Sequence, residues 1–341
     1  MSGDHLNNEI SVSGELTDRG LRASAKSRTA AAFDRLVGNI LDWPNTFVEA
    51  DTVKRRARME AETKIIQAAT ARAVELIGTD DAFAARALAG QFGDFARKQL
   101  NRDAVASIAL EDLRTTPPTA EEAASGPDEL TDEFMDRFQG YAEEASTEEL
   151  RERWGRVLAS EIRKPGTFSR KVMRAVDELS SDVAVEFESL CLSRIREGSI
   201  VREFAGEIPF DRRSKLVEAG LIVEPGLTGQ VTLFGQGKYG TEDAFILPLK
   251  GWAIAIEKSY SPPSASPLVC QHNDTIGLKV YALTGVGEAL STILPDHRDK
   301  TYLRLFRALH ETAADKFHCF REVNGAFEEV AFPAHPVPGA G

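Results

Sequence analysis

The segment from Ser146 to Cys191, STEELRERWGRVLASEIRKPGTFSRKVMRAVDELSSDVAVEFESLC, constrains the fold more than any other part of the chain. Ser146 and Glu149 form a capping-box pattern, in which each side chain satisfies a free backbone amide at the start of a helix. Apolar residues then recur at helical spacing: Leu150, Trp154, Leu158 and Ile162. This pattern predicts an amphipathic helix whose apolar face is buried.

Two further helices follow this one. Pro165-Gly166 ends the first helix, because proline lacks an amide hydrogen and disfavours helical geometry in the preceding residue. Thr167 or Ser169 can cap a second helix, and Ser180 or Ser181 a third. Their predicted buried residues are Val172, Val176 and Leu179 in the second helix and Val183, Phe187 and Leu190 in the third. Short helices with short connections predict a compact helical unit.

The run from Trp154 to Ser180 also resembles the signature of an uncharacterised bacterial family, domain of unknown function 2806. The residues that carry this structural signature are Trp154, Leu158, Glu161, Pro165, Gly166 and Ser169. The resemblance implies a shared fold and brings no activity with it. Related helical proteins occur among bacterial antiphage and abortive-infection genes, so the resemblance implies a context of that kind.

Glu161 is the signature residue with ionisable chemistry. It lies seven residues after Trp154, on the apolar face of the helix. We expect its carboxylate to accept hydrogen bonds from the amides that follow Pro165-Gly166. A catalytic carboxylate is the alternative.

Length and composition indicate a globular protein of two domains, because 341 residues exceed a usual single core. No apolar run approaches the roughly 20 residues that span a bilayer. The first twenty residues are polar and acidic, which is not typical of a secretory signal. The three cysteines are too scattered for a disulfide framework. We therefore expect a cytoplasmic location, with no membrane contact.

The net charge of −12 is unevenly distributed. Residues 121–149 hold eleven acidic residues and one basic residue, whereas residues 150–174 hold eight basic and two acidic residues. The candidate interaction surface on this basic block comprises Arg163, Lys164, Arg170, Lys171 and Arg174. Adjacent blocks of opposite charge favour pairing within the fold or between subunits. A nucleic-acid surface is the alternative, although the neighbouring carboxylates would repel phosphates.

The whole chain is predicted to be an α+β protein with a mostly helical N-terminal half. The predicted regions are a disordered N-terminus (1–16), a helical hairpin (17–113), an acidic Pro/Ala linker (114–130), the short-helix bundle with the signature (131–197), an α+β C-terminal domain (198–332) and a loose tail (333–341). The hairpin comprises helices near residues 48–77 and 80–113, with a break in the second helix at Asn101. A long hairpin favours self-association.

The C-terminal domain contains two stretches, AGLIVEPG and LTGVGEAL, that resemble parts of winged-helix modules. In that interpretation a helix near residues 211–219 would contact nucleic acid through Arg212, Arg213 and Lys215. Against it, residues 202–238 hold five basic and five acidic residues, and DNA recognition requires a basic surface. Short strands are predicted at residues 200–204 and 208–210.

Two motifs suggest a ligand and are better explained otherwise. Residues 235–240, GQGKYG, match a dinucleotide-binding pattern, but a strand pattern follows where a helix should begin, so we expect a glycine-rich hairpin loop. Cys270, His272, His318 and Cys319 could supply zinc ligands. Because His318 and Cys319 are adjacent in a predicted strand, their side chains should lie on opposite faces. No cofactor or metal is predicted.

These patterns support three functional hypotheses and assign no catalytic, cofactor-binding or metal-binding residue. The leading one is a non-enzymatic interaction or regulatory protein that associates with itself or with a protein partner. The second is a nucleic-acid-binding regulator that acts through the winged-helix-like region. The third is an enzyme with a dispersed site, whose residues converge only in the fold.

Overall fold

The computed structural model describes residues 23–37, 81–124, 126–226, 229–323 and 326–330. Helices and two antiparallel sheets within these ranges confirm the α+β class. The contacts divide the chain into two compact units, Met1–Met173 and Arg174–Gly341. The predicted N-terminus (1–16), the hairpin helix near 48–77 and the tail (333–341) lie outside the described residues. No helix in the described ranges has the length and apolar character needed to cross a bilayer.

The first unit is helical in its described part. Its helices are α1 (Ala23–Val37), α2 (Asp81–Thr115), α3 (Ala120–Ala124), α4 (Asp132–Glu144) and α5 (Glu148–Arg163). The next helix, α6 (Arg170–Glu178), crosses the division between the units.

Helix α2 is continuous, so the predicted break at Asn101 is wrong. Asn101 is buried, and its Nδ2 donates to the carbonyl oxygen of Glu143 at 2.8 Å. Its Oδ1 accepts a hydrogen bond from the Arg151 guanidinium at 2.8 Å. An asparagine whose amide group is satisfied by other helices does not compete for its own helix backbone.

Helix α5 begins one residue later than the capping-box pattern predicts. Its N-cap is Thr147, whose Oγ1 accepts a hydrogen bond from the amide of Leu150 at 3.2 Å. Ser169 occupies the corresponding position before α6, where its Oγ accepts from the amide of Val172 at 3.5 Å. Ser146 and Thr147 carry the same functional group at adjacent positions, so the pattern locates the helix but not its first residue.

Trp154 is the centre of the helical core of the first unit. Its ring stacks on Tyr141 with centroids 4.5 Å apart and meets Phe138 edge-on at 5.9 Å. On α5, Gly155 lies so close to α2 that an added Cβ would be 2.5 Å from Cγ2 of Ile108. The apolar face of α5 is therefore buried against α4 and α2.

The second unit combines short helices with two sheets. Its helices are α7 (Ser181–Cys191), α8 (Arg202–Ala205), α9 (Phe210–Glu218), α10 (Gly285–Ser291) and α11 (Arg298–Thr312). Its strands are β1 (Arg194–Arg196), β2 (Ser199–Val201), β3 (Gln230–Leu233), β4 (Gly235–Tyr239), β5 (Glu242–Leu249), β6 (Trp252–Glu257), β7 (Val269–His272), β8 (Thr275–Ala282), β9 (Phe317–Val323) and β10 (Ala326–Glu329).

The strands form two five-stranded antiparallel sheets. The first has the order β1-β2-β8-β3, with β7 also paired to β8, and the second has the order β10-β9-β6-β5-β4. The chain passes from one sheet to the other at Phe234, a buried residue between β3 and β4. Trp252 of β6 packs against Phe306 of α11 at 5.5 Å, which places this helix on the core face of the second sheet.

Of the two predicted short strands, the first is shorter than predicted and the second is wrong. Residues 202–205 form the short helix α8, so the first strand ends at Val201. Residues 208–210 form no strand either: Pro209 is the N-cap of α9, and Phe210 is the first residue of that helix. Short apolar runs do not distinguish strand from helix.

The division between units also differs in position from the predicted start of the C-terminal domain at residue 198. Helix α7 lies in the second unit and is joined to α9 by two ion pairs. Lys215 Nζ is 2.8 Å from Asp182 Oδ2, and Arg212 Nη1 is 3.2 Å from Glu186 Oε2. Contacts of this kind connect α7 to the α+β unit.

Candidate interaction surfaces

Glu161 closes the turn that follows α5. Its Oε1 accepts a hydrogen bond from the amide of Gly166 at 2.6 Å, and its Oε2 accepts from the amide of Phe168 at 2.8 Å. Burial raises the pKa of this carboxyl, and the backbone amides act in the opposite direction. Both oxygens thus bind backbone, as the sequence predicts for an acceptor of the amides after Pro165-Gly166.

The other signature residues also have structural contacts. Trp154 and Leu158 are buried, and Ser169 caps α6. Gly166 has a φ of +89°, a left-handed conformation that favours glycine. Pro165 packs close to Gly126, where a Cβ would be 3.3 Å from the proline ring. The signature is a helix junction.

Arg163, one of the candidate surface cations, is half-buried and holds the end of α2. Its guanidinium donates to the carbonyl oxygens of Asp112 at 2.9 Å and Thr116 at 2.7 Å, and it pairs with the Asp112 carboxylate. An arginine at a helix C-terminus satisfies carbonyl groups that have no partner within the helix. This contact occupies Arg163 within the fold.

The remaining cations of this candidate surface are exposed. Arg170 Nη2 is 3.1 Å from Glu133 Oε1, and Arg174 Nε is 2.8 Å from Glu178 Oε1. Lys164 and Lys171 are also exposed. The pair between Arg170 and Glu133 joins the basic block to the acidic block, the arrangement that adjacent opposite charges favour.

The three cations of α9 each have a carboxylate partner. Besides the two pairs with α7, Arg213 Nε is 3.4 Å from Glu224 Oε1. The hydrogen bond from Lys215 lowers the pKa of Asp182 to about 2, and the same contact raises the pKa of Lys215. A phosphate group would have to displace these carboxylates to reach the helix.

Large apolar side chains are exposed on the same two helices. Phe210, the first residue of α9, is 74% exposed, and Val185 of α7 is 67% exposed. The guanidinium carbon of Arg213 lies 5.6 Å from the centre of the Phe210 ring. Phe210 therefore lies against Arg213, and Val185 directly precedes Glu186, a residue of one of these ion pairs. We refer to Val185, Phe210 and the paired residues of α7 and α9 as the α7–α9 surface.

A polar cluster on the second sheet has no signal in the sequence. The Tyr239 ring stacks on His318 at 4.0 Å, and its hydroxyl donates to Glu329 Oε2 at 2.9 Å. His318 Nδ1 is 2.9 Å from Glu329 Oε1, and this hydrogen bond lowers the pKa of Glu329. Strands β4, β9 and β10 supply the three residues: β9 pairs with β10, and the curvature of the sheet brings β4 to them. The cluster ties β4 to β10, at the opposite edge of the sheet.

The candidate zinc ligands are separated by the fold. Cys270 and His272 lie on β7 in the first sheet, whereas His318 and Cys319 lie on β9 in the second. Cys319 is buried on the core face and His318 contacts the polar cluster, so the predicted opposite orientation is confirmed. The described residues hold no group of three or more histidine, cysteine or acidic side chains arranged for a metal ion.

The glycine-rich motif forms a strand and a turn. Residues 235–239 are β4, Gly240-Thr241 form the turn, and β5 follows. The strand predicted after the motif is therefore confirmed, while the first glycines lie in a strand and not in a loop. No helix N-terminus faces the motif from the residues that follow it, so the geometry differs from that of a dinucleotide site.

Part of the chain matches a known protein family. Residues 85–202 match the model of a family described as protein of unknown function (DUF2806), which confirms the resemblance over that segment. No curated protein and no solved structure matches the chain.

Proposed function

We propose that this chain, with its DUF2806 segment as a scaffold, is a non-enzymatic interaction or regulatory protein that binds a protein partner through the α7–α9 surface. The exposure of Phe210, at 74%, carries the proposal. Exposed aromatic side chains on rigid elements are typical anchors of protein interfaces. The ion pairs of α7 with α9 join the two helices beside this side chain.

The chemistry of the surface favours a protein partner. An aromatic side chain enters an apolar pocket, while the paired charges around it give a polar rim with both signs. Arg213 lies against the ring of Phe210, so one side of the anchor is already covered. The bacterial antiphage setting is supported by the family resemblance alone.

Crosslinking in the native host tests this proposal. We expect Phe210→Asp to lose partners that the wild-type chain captures, because a carboxylate cannot enter an apolar pocket. Phe95→Asp, at a phenylalanine that is 64% exposed on α2, is the matched control and should keep them. If the Phe210→Asp and wild-type chains capture the same proteins, the α7–α9 surface is not the contact surface.

The order of elements favours a second candidate function, nucleic-acid binding. Helix α7, strand β2, helices α8 and α9, and strands β3 and β8 follow one another along the chain, and the three strands lie in the order β2-β8-β3. This order is similar to that of winged-helix modules, with strands β4 to β7 inserted between β3 and β8. In that interpretation α9 is the helix that contacts nucleic acid.

A salt-dependent gel shift distinguishes the two functions. The double substitution Asp182→Asn with Glu186→Gln frees Lys215 and Arg212 from their partners. If α9 binds nucleic acid, we expect this variant to bind more tightly than the wild type and to lose affinity as salt increases. Absence of binding by both proteins at low salt would exclude this candidate.

A further inference from the structure

Helix α11 carries a line of cations on the face opposite its core contacts. Its buried residues are Thr301, Tyr302, Leu305, Phe306 and Leu309. Lys300, Arg304 and Arg307 are exposed and recur at intervals of four and three residues. This spacing places them on one side of the helix, about 10 Å from the first to the last. We refer to these three residues as the α11 basic face.

The fold does not neutralise this face. Within the described part of the chain, none of the three cations forms an ion pair with a carboxylate. By contrast, Arg298 at the start of the same helix pairs with Asp296, and each cation of α9 has a carboxylate partner. The α11 basic face therefore offers three positive charges to an anionic partner, although the whole chain carries a net charge of −12.

The placement of Lys300 and Arg304 favours a role in binding. Lys300 is the third residue of α11, where the positive end of the helix dipole disfavours a cation. The guanidinium carbon of Arg304 lies 4.1 Å from the centre of the Phe204 ring on α8. A guanidinium stacked on a ring keeps N–H groups at its edge for a carboxylate. Because the ring already orders this side chain, binding costs less conformational entropy.

Two further residues of the exposed face indicate what kind of anion fits. Leu303, directly before Arg304, is 48% exposed, and an apolar side chain of a protein partner would bury it. Glu311 follows Arg307 by four residues and is exposed, so it would repel a row of phosphates that continued along the helix. A short acidic stretch of protein therefore fits the face better than nucleic acid.

We propose that the α11 basic face binds an acidic segment of a protein partner, whose carboxylates pair with Lys300, Arg304 and Arg307 while an apolar side chain covers Leu303. An acidic helix matches the face, because carboxylates three and four residues apart repeat with the spacing of the cations. The two arginines can each bind a carboxylate through two N–H groups. This surface shares no residue with the α7–α9 surface. It goes beyond the proposed function, and each can fail without the other.

Photocrosslinking of the full chain in its native host tests the proposal. A photoreactive amino acid in place of Leu303 captures whatever covers this position, and mass spectrometry identifies the crosslinked peptide. We expect a protein segment with about three carboxylates at intervals of three or four residues. Crosslinks to nucleic acid, to a second copy of this chain or to a segment without such carboxylates would each overturn the proposal. So would the absence of a crosslink.

The charge of the face has its own test in the same crosslinking chain. Arg304→Glu combined with Arg307→Glu opposes carboxylates to the acidic segment, and we expect the crosslink yield to fall by about tenfold or more. The control is Arg97→Glu combined with Arg174→Glu, on α2 and α6, which changes the net charge equally and should keep the yield. All four arginines are exposed, so circular dichroism should show an unchanged fold. Equal yields in the two double variants would exclude a contact directed by this face.

Discussion

The Glu161 carboxylate receives two backbone amides from the turn after α5. In Glu161→Gln one oxygen becomes an NH2 group, which cannot accept a hydrogen bond, so one amide loses its partner. Leaving a buried donor unsatisfied costs about 1–3 kcal/mol. We expect the melting temperature to fall by about 2–10 °C, measured by calorimetry.

The control for this prediction is Glu149→Gln on the same helix. Glu149 is exposed and pairs with Arg153 at 2.9 Å, an interaction between turns of one helix that contributes little. The melting temperature of the Glu149→Gln variant should remain close to that of the wild type. An equal change in both variants would contradict the structural role of Glu161.

The carboxyl group of Asp182 should make the stability of the fold depend on pH. Its pKa in the folded chain is lowered to about 2 by the hydrogen bond from Lys215. The unfolded value is about 3.9. A lowered folded pKa means that the stabilisation is present above the unfolded value and is lost as the pH falls towards 2. We expect acid to weaken the connection between α7 and α9.

Asp182→Asn removes this titration. The urea midpoint of the variant should therefore fall less than that of the wild type between about pH 6 and pH 3. Glu188→Gln, a change of the same charge at an exposed residue of α7, is the control and should keep the wild-type slope. A wild-type slope in Asp182→Asn would show that the pair with Lys215 does not persist in solution.

At the scale of elements, the contact between α5 and α2 depends on Gly155. A Cβ at this position would lie 2.5 Å from Cγ2 of Ile108 and 3.0 Å from the carbonyl oxygen of Val105. A backbone oxygen cannot move away unless α2 moves. We expect Gly155→Ala to destabilise the first unit by about 1–3 kcal/mol, measured by urea unfolding.

Replacement of Gly140 by alanine should have the opposite effect on stability from Gly155→Ala. It is exposed on α4, and an added Cβ would meet nothing within 4 Å. Gly140→Ala should stabilise by about 0.5–1 kcal/mol, because alanine loses less conformational entropy in a helix. Destabilisation of similar size in both variants would contradict the close approach of α5 to α2.

Local patterns predicted the helices α5 to α7, since apolar spacing and end signals act within a few residues of each other. They did not predict contacts made by sheet pairing or by distant helices. Tyr239 and Glu329 are 90 residues apart in sequence, and only the curvature and order of the second sheet bring them together. One hydrogen-bond partner of Arg28 is even further away in sequence.

Arg28 is buried on α1, and its Nε donates to the carbonyl oxygen of Ile162, 134 residues away, at 2.8 Å. It also donates to carbonyl oxygens of Pro127 and Glu122, within the segment predicted as a linker. An arginine in a helix that also carries Lys26 and Arg35 gives no local sign of such a role. The side chain can be assigned only once the elements around it are placed.

At the scale of the whole molecule, the second unit has its own hydrophobic core. The buried residues of β5, β6, β8, β9 and α11 form one cluster. Backbone carbonyl oxygens of the segment before β2 accept hydrogen bonds from side chains of α11. Tyr302 donates to the carbonyl oxygen of Ile195 at 3.0 Å, and Thr301 donates to that of Leu192 at 3.0 Å.

These hydrogen bonds predict which fragments of the second unit fold by themselves. A fragment of residues 180–330 keeps α7, β1 and their acceptors, so we expect it to melt cooperatively in circular dichroism. A fragment of residues 198–330 begins at the boundary favoured by sequence and lacks the partners of Tyr302, Thr301 and Lys215. The buried side chains of Tyr302 and Thr301 would lose hydrogen bonds at about 1–3 kcal/mol each. The shorter fragment should therefore melt at a lower temperature or not fold, and equal melting temperatures would place the boundary at residue 198 after all.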